Sequence, residues 1–343
     1  MAKKFATLKD VANLSGTTVA TASFVLNGAK NRYITGELRT RVEKAAKELN
    51  YVKHGAASSL KGEKTGIIAV LSPQYENRFF SSIFASIERI LNDSGYVIAT
   101  LNTFDEPWRE KHAISQMIRL RADGFLVIPT IEGGENTEYI RTMGLPFVSI
   151  ERPLNGVDDG EYDCICSDNF GASYALTKYT LEQGHRKIAL VYWENEISSK
   201  ISNLIDRKLG YVKALSEYGI DDLSLVFKGD IVWEEGASIT REILKQKDVT
   251  AIVYAHYVLA EGGIRYLREN NICVPEDISV SFLGAPYWTD MMETDFTHII
   301  QPGWEIGRQA AIALIDHIEG RKSGVTTLTI PVDFYEGKSV AKL

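Results

Sequence analysis

Residues able to do covalent chemistry are sparse in this chain of 343 residues. No G-x-S-x-G elbow, no P-loop and no G-x-G-x-x-G run occurs, so the usual signatures of an acyl transferase, a nucleotidase or a dinucleotide enzyme are missing. Cys164-x-Cys166 has a spacing that suggests metal, but no second pair and no nearby histidine accompanies it. Buried free thiols in a strand are the reading that spacing favours. The six histidines, His185 in QGHRK among them, show no ligand-like spacing. The five tryptophans read as core or rim residues. What remains is binding chemistry, and it concentrates near the N-terminus. Thr18 is a helix-capping candidate, and the segment Val19–Leu26 that follows turns Ala22, Val25 and Leu26 to one side. Val19, Ala20, Ser23, Phe24 and Asn27 fall on the other.

The elements that position these residues can be read from the same spacing. Thr7-Leu8-Lys9-Asp10 is a helix start, with Thr7 as cap and Asp10 in the first turn. Leu8, Val11, Ala12 and Leu14 form its apolar face, and Gly16 ends it. Two short helices joined by a tight glycine-containing turn have helix-turn-helix geometry, in which the start of the second helix meets base edges in the major groove. A third helix is expected from about Thr35 to Asn50, with Val42, Ala45, Ala46 and Leu49 as its stripe. Charge supports a polyanionic partner for this end. Residues 1–64 carry twelve Lys/Arg against five Asp/Glu, whereas residues 65–343 carry 26 against 40. The overall charge of −7 hides that asymmetry.

LKDVANLSG, TTVATASFVLNG and LRTRVEKAAKELNY together resemble the DNA-binding head of the LacI/GalR family of bacterial transcription factors. Departures are Ser15, Thr17, Thr18 and Ala22, together with an insertion of two residues within Ala29–Tyr33. The resemblance implies that Val19, Ala20 and Phe24 occupy the variable base-reading positions. Val and Ala can touch a thymine methyl but cannot make bidentate hydrogen bonds. Leu8, Thr18, Ser23, Asn27, Tyr33, Thr35, Tyr51 and His54 are then expected to contact the DNA or to support those contacts. Residues 53–63 are polar and small, the composition of a linker. The resemblance makes them a hinge helix formed on DNA, with Ala57 and Leu60 at the positions of a minor-groove wedge. Lys53 stands where the family has proline, and Gly55 lowers helix propensity.

From Lys64 onward, apolar runs such as GIIAVLS, YVIATLN, GFLVIP, PFVSIE, KIALVYW, AIVYA and ISVSFLG alternate with amphipathic stretches. Helices are expected at 80–94 and 110–120 among them. This is the pattern of parallel sheets covered by helices, long enough for two subdomains. ENRFF, SDNFGA, QGHRKIALV, VPEDISV, QPGWEIGRQAA and PVDFYEGKSV resemble the family's effector domain, of the periplasmic-binding-protein fold. The expected architecture is α/β: a helix-turn-helix head (1–52), a hinge (53–63) and a two-lobed effector-binding and dimerisation domain (64–343). The N-lobe is expected at about 64–165 and 298–326, and the C-lobe at about 166–297 and 327–343.

The resemblance puts a small-molecule site between the lobes, with Phe79, Phe80, Glu151, Arg152 and Arg207 at family positions. Three positions depart from the family. His256-Tyr257 replaces Asn-Asp, Gly284 replaces an acid, and Ile231 replaces an aromatic, with Trp233 two residues on. A ligand hydroxyl left unpaired in a closed cleft costs about 1–3 kcal/mol, so fewer acids disfavour a neutral sugar. Two arginines favour an anion such as a sugar phosphate or an organic acid, unless both are paired structurally. The expected function is a dimeric, DNA-binding repressor of carbohydrate-related genes. It would bind palindromic operator DNA and be switched by an effector, with no enzyme activity, metal or cofactor. A cleft that has lost its ligand, leaving control to a protein partner or to none, is a second reading. A two-lobed solute-binding protein or enzyme is a third. The start MAKKFATLKD lacks an apolar signal region, no run of about 18 apolar residues occurs, and three cysteines make no disulfide framework. The cytoplasm and no membrane contact are therefore expected.

Overall fold

The computed structural model describes residues 6–27, 34–52, 64–158, 160–194 and 202–343. The chain divides into two compact units, Met1–Thr65 and Gly66–Leu343. In the first, α1 (Leu8–Ser15), α2 (Val19–Leu26) and α3 (Gly36–Glu48) surround a small core of Val11, Ala12, Ala22, Val25, Val42, Ala45 and Ala46. Leu49 packs against that core as expected. Leu14 does not. It is 48% exposed, because Val11, Ala12 and Ser15 take the buried stripe of α1.

The second unit holds two six-stranded sheets. Its strands are β1 (Ile67–Ser72), β2 (Val97–Asn102), β3 (Gly124–Val127), β4 (Phe147–Ile150), β5 (Asp163–Ser167), β6 (Ile188–Trp193), β7 (Val226–Gly229), β8 (Ala251–Tyr254), β9 (Ser279–Leu283), β10 (Thr297–Ile300), β11 (Thr327–Ile330) and β12 (Asp333–Tyr335). The first sheet has the order β11-β5-β4-β3-β1-β2 and is parallel throughout. The second has the order β12-β10-β9-β8-β6-β7, and β12 runs antiparallel to β10, a departure from the all-parallel expectation. The near-continuous apolar runs of β1, β3, β6 and β8 follow from this arrangement, because helices cover both faces of each sheet. One face of the first sheet packs on α4 (Arg78–Asp93) and α10 (Gly303–Ile318) through Ile83, Ile87, Ala310 and Leu314. Ile114 and Met117 of α5 (Pro107–Arg119) cover the other face. The second sheet is flanked by α6 (Asn169–Glu182) and α7 (Ser202–Glu217) on one side. The helices α8 (Trp233–Ile243) and α9 (Tyr257–Glu269) cover its other side.

The chain crosses between lobes three times, after β5, after β10 and between β11 and β12. This shifts the expected boundaries. Residues 298–300 belong to the second sheet and residues 327–330 to the first. Both strands are four residues long, and β11 is an exposed edge strand with polar Thr327 and Thr329, so neither shows as an apolar run. Among the described residues no helix is long and apolar enough to cross a membrane.

Candidate functional site

In the first unit the caps set the exposed face. Asp10 N–H donates to Thr7 Oγ1 at 3.3 Å and Thr7 N–H to Asp10 Oδ2 at 2.8 Å, a reciprocal box that starts α1. Gly16, at φ +65°, ends α1 in a left-handed turn where a side chain would be strained. Thr18 then caps α2 by accepting Thr21 N–H at 3.1 Å. With Ala22 and Val25 turned into the core, Thr18, Val19, Ala20 and Asn27 are left exposed. Ser23 and Phe24 are half-buried beside them, and Asn27 Nδ2 donates to Ser23 Oγ at 3.3 Å. Thr35 caps α3, accepting Leu38 N–H. Leu8 and Tyr51 pack against the small core. Tyr33, His54, Ala57 and Leu60 lie outside the described residues, as do the insertion and the hinge.

In the second unit a cavity of about 400 Å³ opens beyond the carboxyl ends of the strands, where α/β sheets place their ligands. Gln74 follows β1, Glu151 and Arg152 follow β4, Trp193 ends β6, and Asp230, Ile231 and Val232 follow β7. His256 and Tyr257 follow β8, Leu283 ends β9, and Gln301 follows β10. Eight of the nine expected positions line this space: Phe79, Phe80, Glu151, Arg152, Arg207, Ile231, His256 and Tyr257. Gly284 does not, and Trp233 lies on the surface under Arg265. Gly284 has φ +112°, and a Cβ there would stand 2.8 Å from the Tyr257 ring. The Tyr257 ring therefore fills the space that an acidic side chain at 284 would need.

The two arginines differ. Arg152 is bidentate to Asp105, at 2.6 and 3.1 Å, and also donates to Pro129 O. Its charge is matched within the N-lobe. Arg207 is buried and donates from Nε to Asn169 Oδ1 at 2.9 Å and from Nη1 to Ala255 O at 2.7 Å. Both acceptors are neutral, and among the described residues Arg207 makes no ion pair. Burial brings its pKa down to about 10, against the opposing pull of Glu151. Glu151, at φ +65°, is fully enclosed, and burial raises its carboxyl above the ordinary range. It accepts Ser167 N–H at 2.8 Å, Ser167 Oγ–H and, at 3.4 Å, Gln301 Nε2–H. Ser167 and Gln301 belong to the first two interlobe crossings, so the carboxylate ties both together. His256 caps α9, accepting Val258 N–H on Nδ1 at 3.2 Å. Burial first, and the Arg207 charge second, push its pKa down to about 3. The ring is therefore neutral with its proton on Nε2, which makes it a hydrogen-bond donor. It stacks on Tyr257 with centroids 4.9 Å apart. Phe79 and Phe80 form a tilted aromatic pair at 5.5 Å.

Residues 7–54 match the bacterial regulatory proteins of the lacI family, and residues 65–338 match the periplasmic binding proteins and sugar binding domain of that family. The chain belongs to the LacI family. Among relatives, it is 30% identical over 348 residues to the HTH-type transcriptional repressor PurR of Edwardsiella ictaluri, covering 98% of this chain and 97% of that one. A solved transcriptional regulator, CelR in complex with cellobiose, is 26% identical with a TM-score of 0.72, covering 97% and 99%. The lac repressor dimer bound to operator and the anti-inducer ONPF shares the fold, with a TM-score of 0.83 at 22% identity over 98% and 100% of the chains. This LacI-family chain is accordingly a DNA-binding transcriptional regulator. The family is one of regulators and not of enzymes.

Several lining residues escaped sequence reasoning: Pro73, Gln74, Asn77, Asp105, Leu204, Asp230, Val232, Leu283 and Gln301. Many of them directly follow strand ends, and that position was the signal available. Asp105 had none, because its role depends on reaching Arg152 across 47 residues of sequence.

Proposed function

We propose that this LacI-family regulator is a dimeric repressor whose grip on palindromic operator DNA is switched by a small anionic ring compound in the interlobe cleft. The observation that carries this is Arg207, a buried cation bonded to two neutral acceptors and facing the cavity. A carboxylate or phosphoryl oxygen there would supply the missing charge, and such hydrogen bonds are about twice as strong as neutral ones. His256 Nε2–H is a second donor, and Phe79, Phe80, Trp193 and Tyr257 offer ring faces. The acid at 284 is replaced and Arg152 is already paired, while Gln74, Asn77, Asp230 and Gln301 remain in the lining to pair ligand hydroxyls. A phosphorylated sugar or a ring-bearing organic acid fits better than a neutral sugar, and carbohydrate-related genes are the default remit. Val19, Ala20 and Phe24 would read bases, and the cytoplasm would be the site of action.

The test is a thermal shift of the full chain against paired neutral sugars and their phosphates, nucleobases and small organic acids. At a hundred times Kd a ligand stabilises by about 2.7 kcal/mol, a shift of a few degrees. Stabilisation by a phosphate or acid and not by its neutral partner is expected. Equal shifts by the neutral and phosphorylated forms would sink the anion assignment. A blank across the panel at millimolar ligand would favour a regulator worked by a protein.

A further inference from the structure

Arg78 opens α4 on the N-lobe side of the cleft, between Asn77 and the pair Phe79 and Phe80, and these three neighbours line the effector cavity. Arg78 itself reaches elsewhere. Its Nη1 donates to Ala285 O at 2.7 Å, and its guanidinium lies over the Tyr287 ring, 4.1 Å from the centroid. Ala285 and Tyr287 follow β9 in the C-lobe, where Leu283 lines the same cavity as Phe79. The contact therefore joins the two lobes at the rim of the cleft, away from the three crossings.

Local structure fixes both ends of this contact. Asn77 caps α4 by accepting Phe79 N–H at 2.9 Å, and Ser81 Oγ–H donates to Arg78 O at 3.0 Å. On the other side Gly284 N–H donates to Ile299 O at 3.0 Å, and Pro286 leads into the short 3-10 helix Tyr287–Met291. Ala285 O is thus held in place as an acceptor. A hydrogen bond from a charged donor is about twice as strong as a neutral one. A guanidinium within about 6 Å of a ring centroid is also drawn to the ring face. Charge is complementary as well. Arg78 lines a second cavity, of about 500 Å³, together with Asp290 and Asp295 of the C-lobe. We infer that Arg78 is a positioning residue that latches the two lobes together across the rim of the cleft. Two-lobed folds open and close about a hinge, and the crossings are the hinge here. A latch beyond the hinge favours the arrangement in which Phe79 and Phe80 share one cavity with Tyr257 and Leu283. The inference rests on the reading of the cleft as the switch, and it names the residue that sets the cost of opening it.

The experiment reads the separation of the lobes and needs no effector. Nitroxide-bearing non-natural residues replace Glu138 in the N-lobe and Lys247 in the C-lobe, both exposed. The labelled full chain is diluted with unlabelled parent, so that distances between chains do not contribute. Pulsed electron resonance then gives the distribution of distances, and the parent should show one dominant distance. Arg78→Ala should raise the ratio of a second population to the first about ten- to a hundredfold, the worth of a hydrogen bond to a charged group. Arg78→Lys keeps the charge and a donor without the planar fork, and should restore part of the parent distribution. Tyr287→Ala should shift the distribution the same way but less. Arg78→Ala combined with Tyr287→Ala should go no further than Arg78→Ala alone, because the ring acts through the guanidinium. If Arg78→Ala fails to fold, the exposed Tyr287→Ala decides. An unchanged distribution, shifts that add in the double variant, or a parent in which both populations are already equal would each overturn the latch. A blank on the ligand panel leaves these distances untouched, so the two readings fail separately.

Discussion

Arg152 and Arg207 face the same cavity with opposite assignments, and substitution separates them. Arg207→Gln is expected to weaken an anionic ligand about ten- to a hundredfold, by about 1.5–3 kcal/mol, with the melting temperature nearly unchanged because a buried, unmatched cation is removed. Arg152→Gln should do the reverse. It leaves Asp105 unpaired at a partly exposed site, at a cost of about 1–3 kcal/mol in stability, and affects the ligand less. Calorimetric titration beside urea unfolding distinguishes the two. His256 gives a pH dependence of known sign. Its folded pKa, near 3, lies below the ordinary 6.5, so between these values the unfolded chain binds a proton that the folded chain refuses. Stability therefore falls as pH drops below 6.5, by up to about 1.4 kcal/mol per pH unit. Urea midpoints from pH 7 to pH 5 should decline less in His256→Phe than in the parent, and equal slopes would contradict the assignment. The identities of these residues stood in the sequence. Their pairing did not, because Asp105 and Asn169 reach the arginines through the fold.

At the scale of elements, the turn after β9 and the start of α9 are built for each other. Gly284 combines φ +112° with contact against the Tyr257 ring. Gly284→Ala is expected to cost about 1–3 kcal/mol, partly from backbone strain and partly from that contact. In a Tyr257→Ala background the contact part disappears, so a double-mutant cycle should give about 0.5–3 kcal/mol of coupling. Additivity would show that φ alone excludes a side chain. The helices and central strands were legible as apolar periodicity, and Thr7, Thr18 and Thr35 as caps, because these signals are local. The strands β7, β10, β11 and β12 were not, since each is only three or four residues long and three of them lie at sheet edges.

At the scale of the whole molecule, the basic head and acidic body predict how DNA binding responds to salt. Affinity of the full chain for a palindromic duplex should fall steeply with added salt, with a log–log slope of about −0.9 per phosphate neutralised. Residues 66–343 alone should show no such affinity, and a body-only fragment binding as well as the intact chain would refute the regulator assignment. The sequence by itself determined the two-unit division, the helix-turn-helix head, the alternation of strand and helix and eight of the nine cleft positions. The first three rest on local spacing, on charge counted along the chain, or on motifs at fixed offsets, and the cleft positions came with the family resemblance. Tertiary structure decided the rest. It assigned β10 and β11 to their sheets, matched Arg152 to Asp105 while leaving Arg207 with neutral partners, and set Tyr257 in the space of a side chain at 284. Each of these depends on which residues meet after burial, where a charge must find a partner and a ring must find room, and that is a property of the packed chain.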